Sequence, residues 1–307
     1  MNLGIDLAPE NKRGLKLANP VMTASGTCGY GIEEDYPFDI QRLGAFVCKG
    51  TTLEPRQGNV QPRIAETEYG MLNSIGLQNV GVEALIQEKV PVWAKWRLPV
   101  IVNIAGATID EYARLAGRLD GVDGVSALEV NISCPNVKAG GAEFGADAET
   151  AARVTAAIRK ETSLPVLVKL TPNTADITKV AMAVAEAGAD AVSLINTLKA
   201  MAIDINRRKP ILGSLTGGLS GPAVKPVALA MVYQVAAAVD LPLVGCGGIT
   251  TADDALEFLM AGASAVQVGT AALVNPRAPL DILEGIEGFM SRQGIENLAE
   301  IISAARK

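Results

Sequence analysis

The feature that most constrains the fold is a series of eight short runs of apolar and β-branched residues along the 307-residue chain. Most of these runs are continuously apolar rather than alternating, which is typical of strands buried on both faces of a parallel sheet. We therefore interpret each run as a buried strand. The runs are PVMTA (20–24), AFVCK (45–49), PVIVNIA (99–105), ALEVNIS (127–133), PVLVKLT (165–171), AVSLIN (191–196), PLVGCGG (242–248) and AVQVGT (265–270).

Helical patterns fill several of the gaps between these runs. Residues 109–121, IDEYARLAGRLDG, place their large apolar side chains near one face. Residues 147–162 begin with Asp147 and end with basic residues, as the helix dipole favours. Residues 177–190 and 252–264 each carry a glycine near their end, which is a usual C-cap.

Strands that alternate with helices predict a single-domain (β/α)8 barrel, taken here to span residues 1–307. A doubly wound open sheet is the alternative. Such a sheet normally has a G-x-G-x-x-G turn after its first strand, and TASGTCGYG at 23–31 matches that turn poorly. Long loops are predicted after strands 4 and 6, over about 134–145 and 197–222, and long loops tend to be lids or binding segments.

Charge and hydropathy argue against two classes of partner. The net charge is −6, the pI is about 5.0 and no basic run occurs, so we expect no nucleic acid partner. No segment holds 18 consecutive apolar residues, so we expect no membrane span. The N-terminal segment lacks the charged-then-apolar order of a signal peptide, and we expect a cytoplasmic protein.

The cysteines are informative because the chain contains no histidine. None of the four cysteines has C-x-x-C spacing, so we expect no metal site. Cys28, Cys48 and Cys246 are expected to act as small buried hydrophobes. Cys134 differs, because it lies just past the end of an apolar run, between a serine and a proline at the start of a loop.

Polar residues end most of the predicted strands, and in a (β/α)8 barrel the catalytic groups lie at these C-terminal ends. Polarity also returns at strand ends for purely structural reasons, but a lysine that closes a buried strand needs a partner for its charge. Five of the eight ends carry Lys or Asn. The ends bear Ser25, Lys49, Asn103, Asn131, Lys169, Asn196, Gly247 with Gly248, and Gly269 with Thr270.

The ends of strands 7 and 8 are rich in glycine, which lets backbone N–H groups approach an anion beside a following helix. This pattern indicates a phosphorylated cofactor or substrate. Lys169 leaves two enzymatic explanations open. It could stabilise negative charge on a reduced flavin, or it could form a Schiff base as in barrel aldolases. A barrel that only binds a phosphorylated ligand is a third, non-enzymatic explanation.

Six further motifs are informative when taken together, namely NISCPNVKAGGAEFG, VKLTPN, NTLKAMAID, GGLSGPAVKP, VGCGGI and VQVGTA. They resemble the motifs of the dihydroorotate dehydrogenases of class 1, and the resemblance covers nearly the whole chain from NPVMTASGTCGYG to about Pro276. NSIGLQNVG (73–81) and NTLKAMAIDI (196–205) are further similar to the NAD-linked, type B branch. The membrane-bound class 2 enzymes carry serine in place of Cys134 and have an N-terminal membrane segment.

The resemblance implies that one FMN lies across the barrel mouth and that dihydroorotate stacks on it. The implied contacts to the ribityl chain and ring are Ser25, Lys49, Gly50, Asn103, Asn131, Lys169 and Ile195. The implied contacts to the phosphate are Gly247, Gly248, Gly269 and Thr270, and Gly221 also approaches the cofactor. The implied substrate contacts are Lys49, Asn73, Ser74, Ile75, Gly76, Leu77, Asn131, Asn196 and Thr197. Amide side chains suit a pyrimidine edge, because they both donate and accept hydrogen bonds.

The resemblance also implies a reaction, the oxidation of (S)-dihydroorotate to orotate in de novo pyrimidine biosynthesis. The C5 proton of the substrate lies beside a carbonyl and needs a positioned base. Cys134 would be that base, while the C6 hydride goes to FMN. A free thiol has a pKa of about 8.5, so the protein or the substrate must supply some thiolate. Gly140 and Gly141 would let the surrounding loop hinge as a lid.

Only the resemblance to the type B branch implies how electrons leave the flavin. The chain has no cysteine cluster for an iron–sulfur centre and no clear dinucleotide fingerprint. The NAD-linked type implies a homodimer core that joins a second subunit, carrying FAD and a [2Fe–2S] cluster, in a heterotetramer. The alternative is a type A homodimer that passes electrons to fumarate.

Overall fold

The computed structural model describes residues 1–33, 36–133 and 144–306. At its centre is an eight-stranded parallel sheet with helices around it, which confirms the predicted (β/α)8 barrel. Each of the predicted runs contains one barrel strand. The strands are β1 (Val21–Thr23), β2 (Phe46–Val47), β3 (Val100–Ile104), β4 (Ala127–Asn131), β5 (Val166–Leu170), β6 (Ala191–Leu194), β7 (Leu243–Cys246) and β8 (Ala265–Val268).

The barrel closes between β1 and β2, its two shortest strands. One parallel bridge joins Met22 and Ala45. A side chain completes the pairing, because the Val47 N–H donates to the Thr23 hydroxyl oxygen at 2.8 Å. Thr23 is therefore part of the seam that turns the sheet into a barrel.

The helices begin and end where local chemistry favours it. Asp147 is the N-cap of its helix, as predicted, and its carboxylate accepts from the Thr150 N–H at 2.8 Å. Gly262 is the C-cap after Ala252–Ala261. The α-helices are α1 (Val82–Ala84), α2 (Val90–Trp93), α3 (Ile109–Leu119), α4 (Ala148–Glu161), α5 (Ile177–Glu186), α6 (Lys225–Ala238), α7 (Ala252–Ala261), α8 (Thr270–Val274) and α9 (Ala278–Gln293). A π-helical turn, Leu85–Lys89, joins α1 and α2, and 3₁₀ turns span Ile40–Arg42, Phe144–Ala146, Pro222–Val224, Leu298–Glu300 and Ala304–Arg306.

An N-terminal hairpin, Ile5–Asp6 paired with Lys16–Leu17, closes the end of the barrel at which the strands begin. Leu7 and Leu15 of this hairpin are buried and cluster with side chains from the barrel interior. We call the interior part of this cluster the apolar layer. It fills the barrel interior near the N-terminal ends of the strands, so the polar side chains described below lie nearer the C-terminal ends. The apolar layer consists of Met22, Ala45, Val47, Ile101, Ala127, Leu167, Ala191, Val244 and Ala265.

The segment after β6 is not the plain loop that the sequence predicts, because it contains short strands of its own. Two of them join a segment between β2 and α1 that the sequence analysis missed. Together they form a four-stranded antiparallel sheet beside the C-terminal ends of the barrel strands, here called the mouth sheet. In sheet order its strands are Leu198–Ala200, Gly217–Ser220, Gly70–Asn73 and Ile64–Thr67. A separate hairpin pairs Ile203–Asp204 with Lys209–Pro210.

Most of the long segment predicted after strand 4, residues 134–143, lies outside the described residues, and Cys134, Gly140 and Gly141 lie there with it. Within 1–33, 36–133 and 144–306, no helix is long and apolar enough to cross a membrane. The cytoplasmic location stays a prediction.

Candidate active site

A layer of polar side chains lies directly above the apolar layer. Each member comes two residues after a member of the apolar layer on the same strand, and side chains two apart on a strand point to the same face. The members therefore point into the barrel, and every one is at most 5% exposed. This polar layer consists of Asn103, Glu129, Lys169, Ser193 and Gln267. Asn103 and Lys169 are among the site residues predicted from the sequence, and Glu129, Ser193 and Gln267 are not.

Glu129 is the centre of the polar layer. Its Oε2 accepts a hydrogen bond from Asn103 Nδ2 at 2.7 Å. Its Oε1 accepts from the Ser193 hydroxyl at 2.9 Å and from Gln267 Nε2 at 2.6 Å. An ionised carboxylate is an acceptor only, and this one is surrounded by donors, so the contacts suit the charged form.

Lys169 has the charge partner that a buried lysine requires. Its Nζ donates to Gln267 Oε1 and lies 3.7 Å from Glu129 Oε1. Burial lowers the pKa of Lys169, but Cys246 and Glu129 outweigh burial and raise it above its ordinary value. The lysine is therefore an ammonium ion. A Schiff-base lysine needs a neutral amine, so this geometry disfavours the aldolase explanation.

Three cysteines, Cys28, Cys48 and Cys246, lie in the described part of the chain. Cys28 and Cys48 are buried, as predicted, and burial raises the pKa of Cys48 to about 12. Cys246 differs from its prediction, because it is partly exposed and lies beside Lys169. Burial raises its pKa and Lys169 lowers it, with a net rise, so Cys246 is a neutral thiol at neutral pH.

Asn103 presents an acceptor that nothing in the described part of the chain satisfies. Its Nδ2 is taken by Glu129, and its Oδ1 is buried without a hydrogen-bond partner. Gly50 borders this oxygen, since a Cβ at that position would lie 3.1 Å from it. An unsatisfied buried polar group costs about 1–3 kcal/mol, so the site suits a ligand that brings an N–H to Asn103.

A glycine-lined edge lies across the mouth, at the ends of β7 and β8. Gly248 has a φ of +74°, and a Cβ there would lie 2.7 Å from the backbone nitrogen of Lys225, where α6 begins. A Cβ on Gly221 would lie 3.6 Å from Thr270 Cγ2, and the Thr270 hydroxyl bonds the Ser220 hydroxyl at 2.8 Å. The structure thus brings Gly221, which is predicted to approach the cofactor, together with the predicted phosphate residues Gly247, Gly248, Gly269 and Thr270.

Two predicted asparagines meet at the ends of β4 and β6. Asn196 Nδ2 donates to Asn131 Oδ1 at 3.3 Å and to the Ser133 hydroxyl at 2.9 Å. The Thr197 N–H donates to Asn196 Oδ1 at 2.8 Å. Asn173, which the sequence analysis did not select, donates to the Thr197 carbonyl at 3.1 Å. These contacts fix three of the predicted substrate residues at one rim, directly before position 134.

The predicted substrate segment, residues 73–77, leaves the mouth sheet toward Gly50. The Leu77 Cδ2 atom would lie 3.4 Å from a Cβ on Gly50. The Ser74 N–H donates to the Arg63 carbonyl at 2.7 Å, which ties the segment to the residue directly before the strand Ile64–Thr67. The Ser74 hydroxyl is buried with no partner among the described residues, so this segment also presents an unsatisfied group.

The remaining predicted residues surround the mouth but are not joined to the polar layer by a described hydrogen bond. Ile195 is buried, and its N–H donates to the Cys246 carbonyl at 2.8 Å. Ser25 and Lys49 are partly exposed after β1 and β2. In the described part of the chain the Lys49 ammonium has no ion-pair partner, so its charge is available to an anionic ligand.

The family model for dihydroorotate dehydrogenase matches residues 9–290. The chain belongs to the dihydroorotate dehydrogenase family. It is 58% identical over 294 residues to a protein of Pelobacter propionicus, which covers 96% of this chain and 97% of the relative. It is 58% identical to a protein of Desulforudis audaxviator, over 96% of each chain, and 54% identical to one of Geotalea daltonii, over 95% of this chain and 96% of the relative. Each of these relatives is named dihydroorotate dehydrogenase B (NAD(+)), catalytic subunit.

Membership of the dihydroorotate dehydrogenase family implies a flavin cofactor, and the described residues fit one. The unsatisfied Asn103 oxygen fits a ring N–H, and the Lys169 ammonium fits a ring that gains negative charge. The glycine-lined edge gives a phosphate close access to backbone.

Proposed function

We propose that this chain is the catalytic subunit of an NAD-linked dihydroorotate dehydrogenase, which oxidises (S)-dihydroorotate to orotate in de novo pyrimidine biosynthesis. The observation that carries the proposal is the polar layer below the mouth. There an ammonium, Lys169, and an unsatisfied amide oxygen, on Asn103, lie in the same layer as a buried carboxylate. Such a surface suits a flat heterocycle that carries an N–H and gains negative charge.

FMN is the proposed cofactor, one per chain, and it would supply the acceptor for the C6 hydride. The Lys169 ammonium would favour the charge that develops, and the Asn103 oxygen would accept a ring N–H. The other proposed FMN contacts are Ser25, Lys49, Gly50, Asn131, Ile195, Gly221, Gly247, Gly248, Gly269 and Thr270. We propose that residues 1–307 form one domain around this cofactor.

Cys134 is the proposed base for the C5 proton. The chain has no histidine, so a thiolate at this position would be the positioned group that removes the proton. The position follows Ser133, whose hydroxyl accepts from Asn196 at 2.9 Å. The proposed substrate contacts are Lys49, Asn73, Ser74, Ile75, Gly76, Leu77, Asn131, Asn196 and Thr197.

We also propose a homodimer core that joins an iron–sulfur subunit with FAD and a [2Fe–2S] cluster in a heterotetramer. The relatives' shared name, catalytic subunit, supports a second kind of subunit. Exposed apolar side chains on two segments beside the mouth, residues 60–69 and 201–215, support the proposal that another protein binds there. Among them are Val60, Ile64, Tyr69, Met201, Ile203, Ile205 and Leu215, each at least 49% exposed.

An anaerobic titration tests the activity. The purified chain should be yellow, and added dihydroorotate should bleach it and yield orotate. If the protein is yellow but does not bleach, the proposed flavin cofactor is supported and the proposed substrate is wrong. A colourless protein that cannot be reconstituted with FMN would reject both. Bleached protein should then be reoxidised with NAD only after the partner subunit is added, whereas direct reoxidation by fumarate would favour the type A alternative.

A further inference from the structure

We propose that Glu129 is a positioning residue of the flavin site: its buried carboxylate sets the direction of the Asn103 amide and keeps Lys169 as an ammonium at the barrel mouth. The proposal rests on the proposed function, since it names how this chain prepares that site. Glu129 would touch neither cofactor nor substrate, and it would act through these two neighbours.

Glu129 sets the direction of two amide side chains. An amide side chain has a donor end and an acceptor end, and a carboxylate can accept only. Glu129 takes the NH2 group of both Asn103 and Gln267, at 2.7 and 2.6 Å. The oxygen of each amide is therefore directed away from Glu129. The Gln267 oxygen accepts from Lys169, and the Asn103 oxygen is left unsatisfied beside Gly50.

Glu129 also supplies a negative charge beside Lys169. The groups packed around Lys169 are Glu129 from β4, Cys246 from β7, Gln267 from β8 and Ser193, its register partner on β6. The Cys246 thiol is neutral at neutral pH, because its pKa is raised. Glu129 is then the one anion that these contacts bring to Lys169. Without Glu129, only the neutral Cys246 thiol and the Gln267 oxygen among these contacts would offset the burial of Lys169.

A purely structural role explains this carboxylate poorly. The apolar layer directly below shows that the same barrel fills its interior with hydrocarbon side chains. A buried ion pair is seldom more stabilising than well-packed apolar residues of similar volume. The carboxylate instead lies in the polar layer, beside the unsatisfied Asn103 oxygen. By fixing the direction of that oxygen, it determines which group of a ligand Asn103 can bind.

The first test compares FMN affinity in Glu129→Gln and in the wild type, by quenching of flavin fluorescence in the apoprotein. The variant preserves shape but adds a donor, so one of the two amides must turn over or lose its bond. We expect FMN to bind about 10- to 100-fold more weakly. The matched control is Glu83→Gln, an exposed carboxylate paired with Arg118 at 2.6 Å, which should bind FMN as the wild type does.

The second test separates positioning from mere stability through a pH profile of FMN affinity between pH 6 and pH 9. In Glu129→Gln the pKa of Lys169 should fall, so FMN affinity should decline as pH rises through this range and the ammonium is lost. The wild type should show no such step, and Glu129→Asp, which keeps the charge, should also lack it. The step should vanish in a Glu129→Gln/Lys169→Met double variant and persist in Glu129→Gln/Cys246→Ala.

The outcomes distinguish this inference from the proposed function. If wild-type protein binds no FMN, the proposed function fails before any variant is compared. If the wild type binds FMN and Glu129→Gln binds it equally tightly with a flat pH profile, the positioning role is wrong and the proposed function is untouched. A uniform loss of affinity that remains in the Lys169→Met background, without a pH step, would show a structural role and overturn the proposal.

Discussion

The hydroxyl of Tyr112 on α3 donates a hydrogen bond to the backbone carbonyl of Asn131 at 2.6 Å. The ring of the same tyrosine packs edge-on against Phe144, with 5.5 Å between ring centroids. Asn131 ends β4 and Phe144 begins the next described segment, so one buried side chain holds both residues that flank 132–143. The Gly145 N–H also donates to the Ile132 carbonyl at 2.7 Å, which closes the base of this segment. Helix α3 thus positions the rim from which the proposed base, Cys134, follows.

Tyr112→Phe should remove the bond to Asn131 and leave the ring packing intact. The partly buried Asn131 carbonyl then loses its partner, and we expect the free energy of unfolding to fall by about 0.5–1.5 kcal/mol. If the rim depends on this bond, the rate of flavin reduction by dihydroorotate should fall more than FMN affinity does. Urea unfolding and stopped-flow reduction measure the two effects.

The matched control for this variant is Tyr233→Phe, because Tyr233 is 46% exposed and uses its ring face against Arg306. That variant should change neither stability nor reduction rate measurably. Equal behaviour of the two phenylalanine variants would contradict the positioning of the rim by Tyr112.

Cys134→Ser tests the proposed base. A serine hydroxyl is a much weaker acid than a thiol, so it supplies far less of the deprotonated form near pH 7. We expect the variant to retain FMN and to bind orotate, while dihydroorotate reduces the flavin more slowly by a factor of about 100 or more. Part of the rate should return as pH rises. Cys28→Ser is the control, since this thiol is buried after β1 and is not assigned to the reaction. An unchanged reduction rate in Cys134→Ser would remove Cys134 from the mechanism.

The barrel could be predicted from the sequence because its strands are buried on both faces and leave continuous apolar runs. The same rule explains what was missed inside it. Glu129 and Gln267 are single polar residues within apolar runs, and the local pattern does not say which face they occupy. The argument that a buried charge needs a partner, applied to Lys169, applies equally to Glu129 in ALEVNIS. That signal was present in the sequence and pointed to the ion pair.

The mouth sheet could not be found from local pattern alone. Its central pairing joins Gly70–Asn73 to Gly217–Ser220, and Asn73 bonds the Gly218 carbonyl 145 positions away. The alternation of RIAETEYGMLN around Gly70 indicates a hairpin, but nothing in it identifies the distant strand. This sheet sets where residues 73–77 lie, so the arrangement of the substrate segment depends on a contact that only the fold supplies.

Two glycines of α9 should respond in opposite directions to alanine. A Cβ on Gly285 would lie 2.3 Å from the Ala252 Cβ at the start of α7, where two helices meet. Gly285→Ala should therefore force the helices apart and destabilise the protein by about 1–3 kcal/mol. A Cβ on Gly288 meets only the flexible end of Arg292, at 3.3 Å. Gly288→Ala should stabilise the protein by about 0.5–1 kcal/mol, because glycine in a helix costs conformational entropy. Thermal unfolding of the pair measures this, and a shift of equal sign in both would refute the packing argument.

The stability of the glycine-lined edge should depend on pH because of Asp254. Burial raises the pKa of this carboxyl, but the Lys225 ammonium at 2.7 Å and the bonds from Thr250 and Thr251 outweigh burial and hold its pKa well below the ordinary value. A carboxyl whose pKa is depressed by folding adds stability above its unfolded pKa of about 3.9, and that stability is lost as pH falls toward the folded value.

Asp254→Asn should therefore be less stable than the wild type at pH 7 by about 1–3 kcal/mol, and the difference should shrink as pH falls from about 5 to 3. Asp253→Asn is the control, because that residue lies exposed in the same first turn of α7. Urea unfolding at several pH values measures both. A difference between wild type and Asp254→Asn that stays constant with pH would mean that the ionised carboxylate does not stabilise the turn. Because Lys225 begins α6 next to Gly248, we also expect Asp254→Asn to weaken FMN binding, while Asp253→Asn leaves it unchanged.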